Sequence, residues 1–116
     1  MVRIEFLDSN FLDVDRYYFE IEVIRNGSSV SKNVEAVLKG NVHEVQYYDT
    51  QAQEMVSFYR YDTNVSGLMA ADTVIVRVGS TVSGQTLVNN FSTPTQNSTP
   101  LGVASPNVSS VQNLAN

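Results

Sequence analysis

Tyr17-Tyr18-Phe19-Glu20-Ile21-Glu22-Val23-Ile24-Arg25-Asn26-Gly27-Ser28-Ser29-Val30 is the stretch that decides the fold. Tyr17, Phe19, Ile21 and Val23 recur at every second position, while Glu20 and Glu22 fall between them. A strand turns alternate side chains to opposite faces, so this pattern reads as a half-buried β-strand. Asn26-Gly27 then supplies two residues that tolerate positive φ, the requirement of a type I′ hairpin turn. Beyond the turn, the chain should return as an antiparallel strand. Val30 to Leu38 also fits a helix face through Val34, Val37 and Leu38, but the turn asks for a strand.

The same period runs outward in both directions. Val2, Ile4 and Phe6 alternate with Arg3 and Glu5, so the N-terminus reads as a strand rather than a signal peptide, having no apolar run of its own. Val42–Tyr48 and Met55–Tyr61 read as a second hairpin around residues 49–53. Thr73 to Val78 is the densest β-branched run and is expected to be a central strand. Gln85 to Val88 offers a last short one. These six or seven strands predict an all-β fold, a small antiparallel β-sandwich or barrel.

Composition narrows what such a domain does. The chain has 116 residues, enough for one domain, and no cysteine, which removes disulfides and thiolate chemistry together. Its net charge of −5 has the wrong sign for nucleic acid. No apolar run is long enough to cross a membrane as a helix.

All nineteen charged residues lie between Arg3 and Arg77. Residues 91–116 form a different polymer, in which Ser, Thr, Asn and Gln supply 14 of 26 positions. Pro94, Pro100 and Pro106 are spaced six apart there, which forbids a continuous helix and favours extended chain. The reading is therefore a head over residues 1–90 and a long extended C-terminal arm over 91–116. The arm's contact groups would be Phe91, Pro94, Pro100, Leu101, Val103, Pro106, Val108, Val111 and Leu114. Ser105-Pro106 also resembles a helix start, and Val108, Val111 and Ala115 lie near helical spacing, so a short terminal helix against a partner is an alternative.

Candidate chemistry is sparse. Asp8, Asp13 and Asp15 offer carboxylates, but the calcium-loop pattern is incomplete and an acidic turn beside a strand accounts for them. His43 is the single histidine, and no nucleophile frame surrounds any serine. Neither a catalytic group nor a metal or other cofactor is expected. Tyrosines cluster at Tyr17-Tyr18, Tyr47-Tyr48 and Tyr59 with Tyr61; adjacent ones point to opposite faces and can place one ring in the core and one outside, where it suits an interface or a sugar. Asn-x-Ser/Thr triplets at Asn26, Asn64, Asn90, Asn97 and Asn107 read as coincidence in so Ser/Thr/Asn-rich a chain.

A cysteine-free β-domain continued by a long uncharged arm resembles, in layout, the capsid cement or decoration proteins of tailed bacteriophages. The resemblance implies a structural virion protein on the capsid surface, assembled in the host cytoplasm. Its head would dock on the major capsid protein or other coat subunits, and its arm would staple neighbours, with a homo-oligomer compatible. At about 3.3 Å per residue the arm would span roughly 85 Å. The alternatives are another phage virion β-protein (tail, neck or fibre) or a non-viral adhesion or carbohydrate-binding β-module.

Overall fold

A computed structural model describes residues 1–82 and 106–116. The described chain is all-β: seven strands in two antiparallel sheets, with two short 3₁₀ turns and no α-helix. The strands are β1 (Val2–Leu7), β2 (Val14–Arg25), β3 (Ser28–Leu38), β4 (His43–Asp49), β5 (Glu54–Thr63), β6 (Thr73–Val82) and β7 (Asn107–Asn113). One sheet has the order β4-β5-β1-β7 and the other β3-β2-β6. The two face each other as a sandwich.

The hairpin of β2 and β3 follows the sequence pattern. Asn26 and Gly27 sit at φ of 53° and 80°, as a type I′ turn requires. Tyr17, Phe19, Ile21 and Val23 all point into the core. From the facing sheet come Val2, Ile4 and Phe6 of β1 and Tyr59 of β5. Phe6 meets Tyr17 edge-on with ring centroids 4.8 Å apart, and Phe11 stacks on Tyr59 at 3.9 Å. The first contact joins the two sheets across the core, and the second seats the 3₁₀ turn of Phe11–Asp13 against β5.

Two expectations need correction. Among the described residues the run at Thr73 does not form a central strand: β6 pairs there with β2 alone, at the margin of its sheet, while β2 is the central strand. Val74, Val76 and Val78 are nonetheless buried, because a marginal strand still turns one face inward. The second correction concerns the tail. Residues 107–113 form neither an extended arm nor a helix; they pair antiparallel with β1, from Val2↔Asn113 to Leu7↔Asn107. The last part of the expected arm thus belongs to the head.

A β-bulge explains why the helical alternative fits the sequence. Val108 and Val111 are three residues apart, which in a regular strand would face opposite sides. The register shifts here: Val108 pairs with Phe6 but Ser110 with Glu5, leaving Ser109 unpaired. The extra residue returns both valines to the inner face, and Ser109 Oγ donates to the Glu5 carbonyl at 3.1 Å. In β2 the same device at Asp15 brings Val14 and Tyr17 inward together, and Thr81 Oγ1 donates to Asp15 at 2.8 Å.

Candidate functional site

Among the described residues four strands face three, so one strand of the larger sheet has no strand across the sandwich from it. Glu35 of β3 accepts hydrogen bonds from Tyr61 and Thr63 of β5 at 3.2 and 2.8 Å, so β3 lies opposite β5. β4 lies beyond them. Of its seven residues none is buried. The sequence pairs predict one tyrosine in and one out; here Tyr47 is 49% and Tyr48 56% exposed, on opposite faces of an overhanging strand. Met55, opposite Tyr48 in register, is 58% exposed.

The outer face of the four-stranded sheet gathers apolar side chains from three strands. In register, Val45 sits across from Phe58 and Tyr47 from Val56, all outward because Tyr59 points inward. Leu7 at the end of β1 is also exposed. Glu5, Leu7, Tyr47, Phe58 and Ser109 line an open groove of about 370 Å³. Tyr47 and Phe58 have ring centroids 5.8 Å apart, tilted by 54°. The Arg60 guanidinium lies 5.9 Å from the Phe58 centroid and donates twice to one Glu5 oxygen, at 2.9 and 3.1 Å. That pair holds the polar wall of the groove in place. Asn107, opposite Leu7 in register, has a buried Oδ1 that accepts no hydrogen bond from the described residues.

Elsewhere the titratable groups serve the fold. Tyr17 donates to Asp8 at 2.7 Å, and burial, then that bond, pushes its phenol far above the usual range. Arg25 holds Asp72 at 2.7 and 2.8 Å, with the Met69 N–H as a further donor, and lowers its carboxyl to about 2. Asn113 of β7 donates to the carbonyls of Met69 and Asp72, both at 2.9 Å, which ties the 64–72 loop to the last strand. Among the described residues no three His, Asp or Glu side chains converge as metal ligands.

The sequence-predicted contact residues fare unevenly. Val108 and Val111 are buried in the core and Pro106 is buried at the entry to β7, so none of the three is presented to a partner. Leu114 is exposed beyond the strand. Phe91, Pro94, Pro100, Leu101 and Val103 lie outside the described residues, as does the short strand expected at Gln85–Val88. The groove residues Leu7, Phe58, Glu5 and Arg60 do not stand out in the sequence, since only pairing registers bring positions 5–7, 47 and 58–60 together. No protein-family model matches the chain, and no curated protein or solved structure matches it either.

Proposed function

We propose that this chain is a structural protein-docking module, a decoration protein of a virion shell that binds coat subunits through the outer face of its four-stranded sheet. The observation that carries the docking reading is the exposed groove of Leu7, Tyr47 and Phe58, walled by the Glu5–Arg60 pair. A pre-ordered apolar surface with a fixed charged rim suits a protein partner: aromatic groups supply contact area at low entropic cost, and the rim sets register. The virion setting rests on the layout resemblance, in which a compact β-head is joined to a long uncharged stretch. That stretch lies between β6 and β7 in the chain, and the stapling role is proposed for its residues 91–105.

The test is co-sedimentation with shells assembled from the coat protein encoded with it, comparing the native chain with Leu7→Asp and Tyr47→Ser. Both side chains are exposed, so both variants should keep the native thermal midpoint. Each should lower shell occupancy by about tenfold, the effect of losing a well-packed interface group. Undiminished occupancy removes the groove from the docking reading. Exposed Tyr47 also suits stacking on a sugar, and retention on a glycan array without shell binding would favour the adhesion module.

A further inference from the structure

We propose that β4 is a strand-addition site, and that its occupant is an extended segment of another protein carrying Lys or Arg. This rests on the docking reading and names the mode and the chemistry of the partner. Among the described residues β4 is the outermost strand of its sheet, and such a strand presents unpaired backbone N–H and C=O groups, which proteins ordinarily blunt with bulges, proline or charged side chains, lysine above all. β3 carries a bulge at Val30, where its register with β2 shifts, and a lysine, Lys32, which lies 3.7 Å from Glu20 of β2. β7 has its bulge at Ser109 and packs beside β6. β4 carries charge at Glu44 and Asp49, but no bulge. It runs in seven consecutive pairs with β5, from His43↔Arg60 to Asp49↔Glu54, without a register shift, and contains neither proline nor lysine.

Charge specifies the occupant. Residues 40–59 hold Glu44, Asp49 and Glu54 and not one Lys or Arg. Among the described residues the ion pairs are Arg3–Asp62, Arg25–Asp72, Arg60–Glu5, and Glu20 with Lys32 and Arg77; none includes the hairpin's carboxylates. Glu44 accepts from Ser57 at 2.9 Å, and Asp49 caps the turn through the Gln51 and Ala52 N–H groups. A strand laid along β4 would meet Glu44, Gln46 and Tyr48 on one face and His43, Val45, Tyr47 and Asp49 on the other. Cations opposite Glu44 and Asp49, with apolar residues beside Tyr47 and Tyr48, complement both faces at once. A second copy of this edge would bring no Lys or Arg to face Glu44 and Asp49, only their own carboxylates as charged partners, and is disfavoured.

The experiment uses the ¹⁵N-labelled full chain and two synthetic eight-residue peptides of alternating Thr and Val, one with two lysines and the other with two glutamates at the same positions. Amide exchange and chemical shifts are followed across residues 43–49. The lysine peptide should slow exchange along β4 and bind about tenfold more tightly than its glutamate counterpart. Added salt should weaken it, and the double variant Glu44→Lys, Asp49→Lys should reverse the preference. Protection of β4 by neither peptide overturns the proposal. So does protection that grows with protein concentration alone, which would identify a second copy as the occupant. Loss of shell binding in Leu7→Asp alongside an unresponsive β4 would leave the docking face standing and the edge refuted.

Discussion

Removing β7 tests the most consequential point of the architecture, that residues 107–113 complete the sandwich rather than hang from it. Val108 is fully buried and Val111 nearly so, against Phe6 and Ile4 in register. Burying a valine contributes roughly 1.5–3 kcal/mol, so the two together supply about 3–6 kcal/mol. Their loss would also strip the β7 ladder from β1 and release the Asn113 bonds that hold the 64–72 loop. Domains of this size are stable by only about 5–15 kcal/mol in total. A chain ending at residue 105 should therefore show no cooperative unfolding transition. A milder version is Val108→Ala, which deletes two methyl groups and leaves a cavity, for about 2–3 kcal/mol. At about 4 °C per kcal/mol that lowers the thermal midpoint by roughly 10 °C. Leu114→Ala, exposed beyond the strand, should stay within about 0.5 kcal/mol of the native chain. Urea titrations and thermal melts read by far-ultraviolet circular dichroism and tyrosine emission give these values. Native-like unfolding of the chain ending at 105, or a Val108→Ala midpoint matching that of Leu114→Ala, would refute the assignment of β7 to the core.

Two further expectations concern pH. Asp72 titrates at about 2, below the ordinary carboxylate value, because Arg25 and the Met69 N–H favour its charged form; its contribution is present above about pH 4 and is lost as pH falls towards 2. Urea midpoints of the native chain and Asp72→Asn should therefore converge over that interval, and a constant gap would argue against the ion pair. Tyr17 has the opposite sign: its raised value means stability present below about pH 10 and lost as the solution becomes more alkaline. Tyr17→Phe should cost about 1–3 kcal/mol at neutral pH by removing the buried donor to Asp8, with the deficit narrowing above pH 10. A deficit independent of pH would contradict the buried neutral phenol.

What the sequence disclosed and what it hid divide along one physical line. Local alternation and the Asn26-Gly27 turn are enough to read β2 and β3, because register across a two-residue turn leaves little freedom. β7 escapes because its bulge imposes a three-residue spacing between Val108 and Val111, which imitates a helix when its partner strand is unknown. The rank of β6 within its sheet and the double exposure of Tyr47 and Tyr48 depend on how many strands each sheet acquires. No short window holds that information. The groove is invisible for the same reason: Leu7, Tyr47 and Phe58 become neighbours only after β1, β5 and β4 pair.

The pairing of β1 with β7 also sets a timetable for synthesis. β1 acquires its partner on one side once β5 is complete at Thr63. Its partner on the other side is complete only at Asn113, fifty residues later. At about 5–20 residues per second, roughly 3–10 s pass in which Val2, Ile4 and Phe6 lie beside an open sheet edge on a growing chain. Termination anywhere in that interval yields a polypeptide unable to close its core, and so exposed to proteolysis or capture by chaperones. The strand that seals the sandwich thereby acts as a check on the chain's own integrity, since only a polypeptide that has been read through to β7 can hide its first strand.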